Sequence, residues 1–211
     1  MTRRWIELGL LFYAAPLLLA WVVAERVLPT YQIRAVFTFV IIAAIVLLVM
    51  TKGVRWRRVL LSNPFASWPG LIGFIAICVG GLTLLTWLVA PGSLFSFPNR
   101  APELWQRVMI FYPLLSVIPQ GLIYRVLFFE RYGDLFPNIW VAILANAFAF
   151  GLGHLFFQNW YAFGLCAIGG IAFAWAYAVK RSFWFANLLH AIGGWTVFTV
   201  GLGRYFYHGA I

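Results

Sequence analysis

Apolar stretches about as long as a bilayer is thick recur along the chain, with short polar breaks between them. A helix rises 1.5 Å per residue, so a hydrocarbon core of roughly 30 Å takes about 20 apolar residues per crossing. Stretches of this kind run over residues 6–24, 33–50, 69–90, 106–124, 139–157, 160–179 and 183–202. The expected fold is all-α: a polytopic membrane bundle of about seven transmembrane helices, forming one membrane domain over residues 1–211. Its N-terminal spans occupy 1–105 and a core carrying any chemistry occupies 106–202.

Punctuation within the stretches refines this picture. Trp5, Trp68, Trp87, Trp105, Trp140, Trp160 and Trp184 fall near stretch ends, where an amphipathic ring sits at headgroup level. Pro113 and Pro119 interrupt the fourth stretch and free backbone carbonyls, which predicts a kink and a wetter cavity. Gly151, Gly153, Gly164, Gly169 and Gly170 are expected to let the last three helices approach closely.

Composition agrees: 64% of residues are hydrophobic and 9% charged, with mean hydropathy +0.92, which excludes a water-soluble domain. The net charge of +10 raises the question of nucleic acid, but the basic residues make no continuous stripe with interleaved aromatics, so none is expected as a partner. Arg3, Arg4, Lys52, Arg55, Arg57, Arg58, Arg131, Lys180 and Arg181 gather on one side of a seven-span topology, against Arg26, Arg34, Arg100, Arg107 and Arg204 on the other. The positive-inside rule then puts the N-terminus in the cytoplasm. The Lys52–Arg58 loop is expected to lie on anionic lipid headgroups. The expected location is integral and multi-pass, in a bacterial inner membrane. The stretch before Glu25 lacks a small-residue cleavage site and reads as a retained anchor. Cys78 and Cys166 are isolated and read as packing residues.

Polar groups inside spans are costly, about 2.5–3.5 kcal/mol for an ionised side chain at a helix centre, so each is a functional candidate. They concentrate in residues 113–195: Gln120, Arg125, Asn146, His154, Asn187 and His190. His154 follows Phe150 by four residues and Asn146 by eight, which places all three on one side of the fifth span. His190 follows Asn187 by three on the seventh. Two imidazoles from two helices suit general bases or metal ligands, or else interhelical hydrogen-bond donors. The sequence contains no metal-ligand cluster and names no cofactor.

Pro119-Gln120-Gly121-Leu122-Ile123-Tyr124-Arg125, Phe150-Gly151-Leu152-Gly153-His154 and His190-Ala191-Ile192-Gly193-Gly194-Trp195 resemble the three motifs of the CPBP family. These are the CAAX-processing and bacteriocin-processing membrane proteases, also called the Abi or type II CAAX prenyl endopeptidase family. Its motifs are Glu-Glu-x-x-x-Arg, Phe-x-x-x-His and His-x-x-x-Asn or Asp, on successive helices around a cavity open to the cytoplasm. Arg125, Phe150, His154 and His190 match. Gln120 and Gly121 stand where two glutamates belong, and Gly194 where the last Asn or Asp belongs.

The resemblance implies endopeptidase activity on a membrane-associated or prenylated peptide, in contact with membrane lipids and a peptide or lipidated-protein partner. Its implied catalytic residues are His154, His190, Gln120 and Arg125; Phe150, Asn146, Asn187 and Gly121 would line the substrate site. With no carboxylate at 120 or 121, His154 is the expected base, His190 the oxyanion stabiliser and Gln120 the group orienting water. Glu130, the nearest acid, lies ten residues beyond Gln120, about 15 Å along a helix. Gly121 predicts a gap opposite Arg125, and Arg125, lacking a counter-ion one turn back, must reach headgroups by snorkelling, or else carbonyls or a bound anion. Two other readings stay open: a non-catalytic relative that binds a peptide, lipidated chain or membrane partner in the same cavity, and a small transporter.

Overall fold

The computed structural model describes residues 2–206, and among these it contains helices and turns but no strand. Seven helices are long and apolar enough to cross a membrane. We label them α1 (Thr2–Ala24), α2 (Tyr31–Met50), α3 (Trp68–Val89), α4 (Pro102–Leu135), α5 (Ile139–Phe157), α6 (Trp160–Ala178) and α7 (Phe183–Val200). The chain is an integral multi-pass membrane protein, as its hydropathy pattern predicts.

Polar caps start several of these helices. The Ser67 side chain accepts from the Gly70 backbone N–H at the start of α3, and Asn138 accepts from Trp140 and Val141 at the start of α5. Asn159 accepts from Ala162 ahead of α6, and Ser182 from Phe185 ahead of α7. Each cap satisfies backbone donors that the first helical turn leaves without a partner. At its other end α7 stops on Gly201, whose φ of 106° suits glycine.

The fourth span differs most from its sequence reading. It continues to Leu135 rather than ending at 124, because the chain stays helical past Arg125 in widened π-type turns over Leu122–Tyr132. A second π turn covers Pro113–Val117, where proline removes a backbone donor. Arg125 is therefore inside the bundle, 2% exposed, and does not snorkel to the headgroups. The π winding also replaces the ordinary i, i+4 spacing on which the Gly121–Arg125 juxtaposition was based.

The core sits among α4–α7, with α1 docked on it. Half of the most apolar window of α5 and of α7 is buried, against 11% for α2 and α3, which leave most of their surface facing outward. Phe12 of α1 inserts between Tyr124, Phe128 and Tyr132 of α4 in edge-to-face contacts. The α1–α4 junction is fixed by Arg131, which donates to Glu7 at 2.7 Å, and by an Arg4–Asp134 ion pair. Such an apolar exterior fits lipid as its solvent.

The glycine reading is only partly correct. A Cβ on Gly151 would stand 2.9 Å from the Ala167 Cβ, and one on Gly170 3.0 Å from the Ala147 Cα, so these two positions permit the close α5–α6 approach. Gly164 faces open space, and Gly169 meets only the Phe173 ring.

Candidate functional site

Three polar segments of the sequence meet in the middle of the bundle, through side chains of α4, α5 and α7. Arg125 of α4 donates to the Asn146 side-chain oxygen of α5, and Asn146 Nδ2 donates at 2.6 Å to the Tyr124 carbonyl. Asn146 is fully buried. The guanidinium lies over the Phe150 ring at 4.9 Å and over Phe173 of α6 at 5.7 Å. Aromatic faces carry negative quadrupole density, so they replace part of the hydration that Arg125 loses.

Phe150 is the centre of the arrangement. Its ring lies 4.7 Å from the His154 ring and 5.2 Å from the His190 ring, centroid to centroid. Two imidazoles from two helices thus border one phenyl ring. His154 Nδ1–H donates to the Phe150 carbonyl at 2.8 Å. A carbonyl only accepts, so the neutral ring carries its proton on Nδ1 and presents Nε2 as an acceptor. His190 is 8% exposed, stacks on Phe173 at 4.7 Å and meets Tyr112 edge-on at 6.0 Å.

The remaining sequence candidates occupy the α4–α7 seam. Gln120 Nε2 donates to Ser116 at 2.8 Å, and Asn187 Nδ2 donates to the Phe183 carbonyl at 2.7 Å. The side-chain oxygens of both amides are buried with no hydrogen-bond partner among the described residues. A buried acceptor left unmade costs about 1–3 kcal/mol, so both amide oxygens keep their acceptor capacity at this seam.

The gap expected at Gly121 does not exist. The Asn187 amide already fills it, so a Cβ at 121 would overlap that group. Gly194 repeats the pattern, because the Tyr112 ring fills the place where its Cβ would stand. None of the five acidic residues of the chain approaches the histidines through a hydrogen bond or ion pair: Glu7 pairs with Arg131, Asp134 with Arg4, and Glu130 accepts from Tyr177. Among the described residues no three His, Cys, Asp or Glu side chains converge as a metal-ligand set.

Sequence reading missed Tyr112, Tyr124 and Phe173, which supply much of the wall. Tyr124 meets the Phe150 ring at 5.1 Å and its hydroxyl fills the space beside Gly153. An aromatic residue in an apolar helix carries no sign of which partner it faces, so only the glycines opposite hinted at these contacts. His154 follows the last α-helical turn of α5, at the end away from Ile139, so it stands about 22 Å along the helix axis from the end where the basic loops gather.

Residues 102–196 match the family model described as Type II CAAX prenyl endopeptidase Rce1-like. No curated protein and no solved structure matches the chain. The matched segment contains Gln120, Arg125, Phe150, His154 and His190. From the start of α4 into α7, this chain is therefore similar to the type II CAAX prenyl endopeptidase Rce1-like family.

Proposed function

We propose that the chain is an intramembrane endopeptidase of a modified kind, in which an imidazole replaces the absent carboxylate as the base. Its substrate is the peptide backbone of a membrane-associated or lipidated chain. The observation that carries this reading is the His154 tautomer: Nδ1 is held on the Phe150 carbonyl, leaving Nε2 to take a proton from water. Gln120 supplies a buried acceptor to orient that water, and His190 donates to the developing oxyanion. Arg125 contributes positive potential through the Phe150 face and fixes Asn146, without touching the reacting atoms. A bacterial inner membrane, with the basic loops on the cytoplasmic side, is the setting we infer.

The test is reconstitution of the full chain in vesicles with prenylated and unprenylated peptides. His154→Ala abolishes hydrolysis on this reading, and unchanged turnover in that variant removes His154 from the mechanism.

One observation favours a second reading. Positions 121 and 194 are each closed by a neighbouring side chain, which suits a cavity that binds a peptide or a lipidated partner without cutting it. In that case the unmodified chain binds peptide, does not hydrolyse it, and loses binding in His190→Ala. No polar feature specifically favours the transporter reading.

A further inference from the structure

A second built feature lies at the other end of the bundle. A cavity of about 460 Å³ opens where the loop after α2 meets the ends of α4 and α6, lined by Arg55, Arg58, Arg181, Glu130, Tyr177 and Phe129 among others. Three arginines and one glutamate line it together. Among the described residues, no hydrogen bond or ion pair joins the side chain of any of the three arginines to a protein group, although Glu130 lines the same cavity. Glu130 is instead engaged by the Tyr177 hydroxyl, which donates to it at 2.9 Å. The Tyr177 and Phe129 rings lie 5.7 Å apart in the same wall.

The backbone adds an independent sign. Arg181 holds φ at 55°, in the left-handed region that a side chain other than Gly, Asn or Asp seldom adopts. Its neighbours account for the turn: Lys180 N–H donates back to the Trp175 carbonyl and Ser182 N–H to the Ala176 carbonyl. Lys180 is placed over the Trp175 ring at 5.2 Å, outside the cavity lining. A glycine would relieve the backbone, yet an arginine stands there and lines the cavity.

We propose that this cavity binds a phosphate group, with Arg55, Arg58 and Arg181 as its donors. Guanidinium forks match phosphate oxygens in pairs, and three of them leave two positive charges uncompensated after Glu130. The position, between helix ends at the polar edge of the spans, suits the phosphate of an anionic lipid headgroup; a soluble phosphate offers the same chemistry. The site is separate from the histidine centre and stands whether or not the chain hydrolyses peptides.

The experiment uses the full chain, purified in neutral detergent and stripped of lipid. Native mass spectrometry follows binding of phosphatidylglycerol against phosphatidylcholine, and titration calorimetry follows inorganic phosphate. Each arginine near a lipid phosphate contributes about a fivefold factor, so Arg55→Gln/Arg58→Gln/Arg181→Gly is expected to weaken binding about a hundredfold. Arg57→Gln, in the same loop but outside the cavity lining, is expected to weaken binding less than the loss of any one of the three lining arginines. Arg181→Gly alone weakens binding without lowering the melting temperature, because glycine accepts that φ.

Saturable binding of phosphatidylglycerol identifies a lipid source, and binding of inorganic phosphate alone identifies a soluble one. Equal retention of the two lipids without phosphate binding overturns the site, as does an equal loss in Arg57→Gln, which would mean unspecific attraction of the loop.

Discussion

The side-chain amide of Asn187 lies against Gly121, in the space that a Cβ at position 121 would need. The residue that resemblance assigns to a carboxylate is thus absent, and its volume is taken by a polar group reaching over from α7. Tyr112 stands in the same relation to Gly194. Both glycines are filled in from a neighbouring helix, so each glycine and the side chain packed on it form one structural unit.

Stability measurements test that coupling. Gly121→Ala forces the Asn187 amide aside, and overpacking of this kind costs about 1–3 kcal/mol. The lower end is expected, because an amide at the end of a side chain can rotate. Gly121→Ala/Asn187→Ala should recover most of the loss, giving a coupling energy in a double-mutant cycle followed by denaturant unfolding. Additive effects would mean that the two positions do not compete for space.

The Arg125–Asn146 contact gives a second prediction. Arg125 is buried, and Asn146 is the side chain that accepts from it. Asn146→Leu strands the charge among aromatic faces and should cost about 3 kcal/mol or more. Asn146→Asp supplies a counter-charge while losing the donor to the Tyr124 carbonyl, so it should be the milder change. Thermal unfolding of the two variants in detergent ranks them, and the reverse order would argue against a charged Arg125.

The bundle and the meeting of α4, α5 and α7 were legible because lipid imposes its demands locally. Span length, end-placed Trp and cap residues are each written in a short window of sequence. The extent of α4 was not, since π-type turns over Leu122–Tyr132 leave no mark in hydropathy. The partners of Gly121 and Gly194 were not legible either. A glycine announces space without naming its occupant, and Asn187 and Tyr112 come from 66 residues downstream and 82 residues upstream. The arginine-lined cavity needed three segments brought together, although its arginines were visible as an orientation signal.

Helix contacts distinguish glycines that the sequence could not tell apart. Gly164 faces open space, so Gly164→Ala should raise stability by up to about 1 kcal/mol through helix propensity alone. Gly170→Ala presses a methyl group on the Ala147 backbone of α5, which cannot rotate away as a side chain can. It should lower stability by about 1–3 kcal/mol. Measuring the two melting temperatures side by side checks the α5–α6 packing, and equal shifts of the same sign would contradict it.

Rebuilding the missing chemistry separates the two functional readings. A carboxylate introduced as Gly121→Glu alone meets Asn187, and an amide introduced as Gly194→Asn alone meets a tyrosine ring, so neither single variant should gain activity. Gly121→Glu/Asn187→Ala clears the space and offers water a proton acceptor. General-base assistance contributes about 10²–10⁴-fold, so hydrolysis should rise by at least the lower factor. The starting rate is decisive. If the unmodified chain already cleaves peptide and loses that activity in His154→Ala, an imidazole base is at work and the rebuilt carboxylate adds a second one. If hydrolysis begins only in the rebuilt variant and peptide binding is present throughout, the natural cavity is a binding site that has given up the reaction.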